Sequence, residues 1–107
     1  MKWHRVCTAA ALPPEYGVAA LLGEDGAAVF RTAGDGLFAV GNVDPFSGAG
    51  VISRGIVGDR DGEPTVSSPM HKHVFSLRTG TCLDEPSVAL PTYPVRYRGG
   101  DVEVGLT

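Results

Sequence analysis

Short apolar runs alternate with turn residues along the whole chain. Residues 17–22 and Ala27–Arg31 are apolar and flank Gly23-Glu24-Asp25-Gly26, a spacing that predicts a β-hairpin. Leu37–Gly41 follows a second turn at Ala33-Gly34-Asp35-Gly36, and residues 55–57 and Glu63–Ser67 flank a third at residues 58–62. Tyr93, Val95 and Tyr97 alternate with Pro94, Arg96 and Arg98. Gly99-Gly100 then turns the chain into Asp101–Leu106, where Val102 and Val104 alternate again. Only residues 51–54 suggest a helical turn, because no window sustains apolar residues at i, i+3, i+4 and i+7 over three turns. Turns every 8–12 residues predict an all-β fold, an antiparallel sandwich or small barrel. The longest irregular stretches are expected at residues 42–50 and 67–73, and loops on a rigid β scaffold are where function concentrates.

Composition narrows the function classes. At 107 residues the expectation is a single domain over 1–107. A net charge of −3 argues against sequence-independent binding to nucleic acid, which needs an excess of Lys and Arg. No apolar run approaches the roughly 20 residues of a membrane helix. The opening Met1-Lys2-Trp3-His4-Arg5-Val6-Cys7 turns polar too early for a signal peptide, so a cytoplasmic location is expected. The two cysteines, Cys7 and Cys82, are far apart and outside any CxxC, and they read as free thiols.

The two irregular stretches carry the candidate chemistry. The run Ala39-Val40-Gly41-Asn42-Val43-Asp44-Pro45-Phe46-Ser47-Gly48 resembles the first ligand loop of a Rieske iron–sulfur domain. The run Ser68-Pro69-Met70-His71-Lys72-His73-Val74-Phe75-Ser76-Leu77-Arg78-Thr79-Gly80 resembles the second. In a Rieske domain these loops supply Cys-x-His and Cys-x-x-His, the thiolates holding one iron and the imidazoles the other. The resemblance puts Asp44, Phe46, Ser68 and His71 at the ligand positions. Phenylalanine has no lone pair to offer, a serine hydroxyl stays protonated near neutral pH, and a carboxylate is a hard donor mismatched to sulfide-bridged iron. A Rieske-like fold without its [2Fe–2S] cluster is therefore expected.

Within that fold the chain resembles the small subunits of cytoplasmic NAD(P)H-dependent nitrite reductases. The likeness rests on residues 3–7, Asn42-Val43-Asp44-Pro45-Phe46, Ser53-Arg54-Gly55-Ile56, Ser68-Pro69 with Lys72, and Thr79-Gly80-Thr81-Cys82-Leu83-Asp84. Pro86 and the closing Leu90-Pro91-Thr92-Tyr93-Pro94-Val95-Arg96-Tyr97 resemble the strand that closes a Rieske domain. The resemblance implies a subunit with no catalytic residues and no cofactor of its own. Its partner would be a large subunit with FAD, an iron–sulfur cluster and sirohaem, reducing nitrite to ammonium in nitrogen assimilation.

Sharper readings of single residues compete with plainer ones. His71 and His73 would share one side of an extended segment, and with Cys82, Asp44 or His4 they could hold zinc. No three or four ligands are spaced for it in sequence, so no metal is expected, and a mononuclear-metal or ferredoxin-like redox module of an oxygenase-type system is the alternative reading. Asp44, Ser68 and His71 have the residue types of a catalytic triad but lack a nucleophile-elbow pattern, and Asp44 before Pro45 reads more simply as a turn initiator. Arg96 and Arg98 are expected on a solvated face. Phe46 either plugs the vacated ligand site or forms, with Pro45, His71, Lys72 and His73, an apolar contact for a partner.

Overall fold

The computed structural model describes residues 1–106 apart from 24, 25, 35 and 71. The strands, in chain order, are β1 (Lys2–Thr8), β2 (Gly17–Ala20), β3 (Ala27–Arg31), β4 (Leu37–Gly41) and β5 (Ile56–Arg60). They continue as β6 (Glu63–Ser67), β7 (Val74–Ser76), β8 (Thr92–Tyr93), β9 (Val95–Arg98) and β10 (Asp101–Leu106). They form three antiparallel sheets ordered β1-β10-β9, β2-β3-β4-β8 and β5-β6-β7. Among the described residues helical structure is limited to single 3-10 turns at Ala9–Ala11 and Ile52–Arg54, the second where the sequence suggests one. No helix there is long and apolar enough to cross a membrane.

The continuous apolar run of β3 explains the layering, because a strand apolar on both sides must be covered on both. Ala28 and Phe30 pack with Val40, Ile52, Val66, Phe75, Leu77, Cys82 and Leu90. On the other face Val29 packs with Ala39, Leu12, Val102 and Val104, flanked by Val6, Cys7 and Val95. The β2-β3-β4-β8 sheet is thus the middle layer. The β1-β10-β9 sheet covers one face and the β5-β6-β7 sheet, with the 77–91 stretch, covers the other. Cys7 and Cys82 lie in different clusters and are free, as the sequence suggests.

Three local expectations need correction. The third hairpin turns on Asp61-Gly62 alone, with φ of 52° and 88°, so β5 runs on to Arg60 instead of stopping at residue 57. Consecutive positive φ values match the right-handed twist of a tight hairpin, and Gly99-Gly100 repeats the device at 58° and 85°. Tyr93 and Val95 do not share a strand. Pro94 lacks an N–H for a ladder, so Tyr93 stays with β4 while Val95 crosses to β10. Arg96 and Arg98 take the outward side of β9, as expected: Arg98 is exposed, and the Arg96 guanidinium lies over the Trp3 ring, 3.9 Å from its centroid, and bonds Glu103 at 2.8 Å. Val95 and Tyr97 pair with the buried Val104 and Val102 on the other side. The longest stretch without a named strand is 77–91, not 42–50 or 67–73.

That stretch is ordered by its own backbone bonds. Leu77 N–H donates to the Pro64 carbonyl (2.9 Å), Gly80 N–H to Ser76 (2.8 Å), Leu90 N–H to Gly80 (2.8 Å) and Gly41 N–H to Pro91 (2.8 Å). Gly80 is held at φ 80°, and a Cβ there would run into the Leu90 carbonyl oxygen. Gly80→Ala should therefore lose about 2 kcal/mol or more of unfolding free energy, from left-handed strain plus steric conflict. Urea denaturation checks this, and a change within about 0.5 kcal/mol of zero would contradict it.

Candidate functional site

The loops after β4 and β6 meet at one end of the molecule, and their side chains account for the meeting. Asn42 cinches the first loop: its Oδ1 accepts from Ser53 N–H at 2.8 Å and its Nδ2 donates to the Gly50 carbonyl at 3.3 Å. Asp44 N–H donates to Ala49 and Gly48 N–H donates to Asp44, both at 2.8 Å, with Gly48 at φ 78° closing the turn. Asp44 Oδ1 accepts from Phe46 N–H at 2.8 Å and from Ser47 N–H at 3.3 Å. This is the turn-initiating role that Asp before Pro suggests.

The second loop reaches the same carboxylate. Ser68 N–H donates to the His73 carbonyl at 2.9 Å, and Met70 N–H donates to Ser68 Oγ at 3.2 Å. Ser68 Oγ in turn donates to Asp44 Oδ2 at 2.5 Å, across 24 residues of chain. Both side chains are buried, Asp44 at 0% and Ser68 at 1% exposure. The His73 ring stacks on Phe46 at 3.8 Å between centroids and 9° between planes, and Phe75 lies 6.3 Å from Phe46 on the core side.

Burial pushes the Asp44 pKa up, since a carboxylate loses water. The Ser68 hydroxyl, the N–H groups of Phe46 and Ser47, and the nearby His73 imidazole outweigh that and hold it below its ordinary value. A carboxylate so held is a weak base, and a hydroxyl at 1% exposure is out of a substrate's reach. The triad-like types therefore meet in part, Asp44 with Ser68, in an arrangement suited to holding loops and not to attacking a substrate.

The donor set does not fit the cluster that the fold resemblance brings to mind. The positions that the resemblance assigns to thiolates hold Asp44 and Ser68, which are hydrogen-bonded to each other. Phe46, which the resemblance places at an imidazole position, stacks its ring face on His73. His71, the fourth position, lies outside the described residues, and so does its expected alignment with His73. Among the described residues no three His, Cys, Asp or Glu side chains gather to hold an ion. Of the suggested partners, Cys82 is in the apolar core with Phe30 and Phe75, and His4 is on β1.

One ring face of Phe46 covers His73, and the residue is 38% exposed. Pro45 and Lys72 are exposed beside it in the loops, Lys72 at φ 57°. Sequence reasoning missed Met70, which is 39% exposed. Its signal was an apolar side chain between Pro69 and His71 in an otherwise polar loop.

Three outcomes are expected. Ser68→Ala, which strands a buried carboxylate, should cost about 1.5–3 kcal/mol in chemical denaturation. A depressed native pKa means that Asp44 contributes stability fully present above the ordinary carboxylate range near pH 4 and lost as pH falls toward its own value. The stability gap between wild type and Asp44→Asn should therefore narrow as melts are taken from pH 6 down through about pH 4 to pH 2. Chelator should leave the melting temperature unchanged, since no three His, Cys, Asp or Glu side chains gather among the described residues; a drop of many degrees would reveal a structural metal.

A family model of the Rieske-like [2Fe–2S] domain matches residues 2–105. The nitrite reductase (NADH) small subunit of Escherichia coli K12 is 36% identical over 104 residues, covering 96% of each chain. A crystal structure described as an NADH-dependent nitrite reductase small subunit from Mycobacterium tuberculosis superposes with a TM-score of 0.92 at 48% identity, covering 96% of this chain and 93% of that one. A Klebsiella oxytoca protein named as the nitrite reductase [NAD(P)H] large subunit is 42% identical over 103 residues, 96% of this chain but 11% of that protein's length. With a family match over nearly its whole length and small-subunit relatives at 36% and 48% identity over nearly their full length, the chain belongs to the Rieske-like domain family, in its branch of nitrite reductase small subunits.

Proposed function

We propose that this chain is a single-domain, non-catalytic subunit that docks on the large subunit of a cytoplasmic NAD(P)H-dependent nitrite reductase. There it supports the reduction of nitrite to ammonium in nitrogen assimilation. The observation that carries the reading is the Klebsiella protein, in which a domain like this one occupies 11% of a chain named as the large subunit. Covalent fusion keeps two units at high effective concentration, and it is tolerated where the units work side by side. FAD, an iron–sulfur cluster and sirohaem belong, on this reading, to the large subunit.

The residues of the site support the absence of chemistry in the chain itself. Asp44 and Ser68 are engaged with each other, so either would have to break a buried, charge-assisted bond before it could ligate iron or a mononuclear ion. That cost counts against the redox-module alternative.

Co-expression with a tagged large subunit tests the proposal. The chain should co-elute with it, the complex should reduce nitrite with a nicotinamide donor, and the isolated chain should not. The isolated chain should also be colourless, without sulfur-to-iron charge-transfer bands. Near-stoichiometric iron and acid-labile sulfide in anaerobically purified chain would overturn the cofactor-free reading, and failure to co-elute would overturn the subunit reading.

A further inference from the structure

The exposed large apolar side chains of this molecule are spread over several surfaces, but two of them sit on the loops that Asp44 and Ser68 lock together. Phe46 is 38% exposed and Met70 39%, and each follows an exposed proline, Pro45 and Pro69. Asn42, the Asp44 turn and the Ser68 bond hold these loops before any partner arrives. Preorganised loops lose little conformational entropy on association, so apolar anchors on them convert burial into affinity efficiently. The charge here is also unlike the rest of the chain. The net charge is −3, yet among the described residues of 42–50 and 68–73 the one charged side chain exposed is Lys72, because Asp44 is buried.

We infer that this loop end is the face that docks on the large subunit. Phe46 and Met70 enter an apolar recess there, and Lys72 meets a carboxylate at its rim. The inference rests on the subunit reading above and adds the surface to it. The occupant follows from the Klebsiella protein, where the polypeptide adjoining this domain is the one named as the large subunit. The Asp44–Ser68 bond then has a role beyond stability, as the clasp that holds both anchors in one orientation.

A rival surface exists and supplies the control. A groove between the edge strands β2 and β5 is lined by Tyr16, Gly17, Ser53, Gly55 and Ile56, with Tyr16 67% and Ile56 76% exposed. It lacks the clasp and is flanked by both signs of charge, Glu15 and Arg54.

The experiment measures affinity of purified chain for purified large subunit, with thermal melts of every variant. Wild type should bind. Phe46→Ala should weaken binding on the order of 30-fold or more, and Met70→Ala on the order of tenfold, both with near-native melts. Lys72→Glu should weaken it several-fold at low salt, with the difference shrinking as salt screens the pair. Tyr16→Ala and Ile56→Ala should bind like wild type. If wild type binds and the loop variants bind equally well, or the groove variants weaken as much, the docking face is wrong and the subunit reading stands. If wild type fails to bind, both fall.

Discussion

A carboxylate taken out of water must find donors, and the end of this molecule that carries the candidate site is organised around that demand. Asp44 is fully buried and receives two backbone N–H groups from its own turn and one hydroxyl from Ser68. The backbone donors are local and shape the first loop. The hydroxyl is distant in sequence and ties that loop to the second. Because hydrogen bonds to a buried charge contribute more than neutral ones, and because losing one partner strands the other, the two loops have little freedom to drift apart. The resemblance assigns both positions to ligands of one iron, so a direct hydrogen bond now joins what the metal would join.

The clasp is effective because the scaffold behind it is rigid. The middle sheet buries both faces of β3, and the core on the clasp side includes Phe75, whose ring also lies within reach of Phe46. His73 fills the outer side of Phe46. Close-packed interiors transmit position, so the loop end inherits the order of the core instead of behaving as a free loop. The 77–91 stretch contributes to the same core through Leu77, Cys82 and Leu90, which is why a segment without regular strands is nevertheless well anchored.

These features suit a subunit that presents a surface more than one that performs a reaction. A general base needs a proton affinity matched to its task, and a nucleophile needs access. Asp44 has been moved away from the first requirement and Ser68 from the second. What the site retains is geometry: two stiff loops, two exposed apolar side chains and one cation.

Local pattern alone determined much of this protein. Alternation and glycine placement located the hairpins, since a strand's two-residue period and the positive φ of a tight turn are short-range properties of Gly62, Gly99 and Gly100. The side chains at Asp44, Phe46 and Ser68 also declared their own poor match to iron, because donor chemistry belongs to the residue type. The tertiary structure decided whatever depends on partners remote in sequence. Pro94 moved the chain between sheets, Arg96 settled over Trp3, and the 77–91 stretch folded onto the core. Above all, Ser68 became the partner of Asp44 across 24 residues. A carboxylate's need for donors is written in the sequence, but which hydroxyl meets it depends on how β4, β6 and their loops pack, and no local pattern encodes that distance.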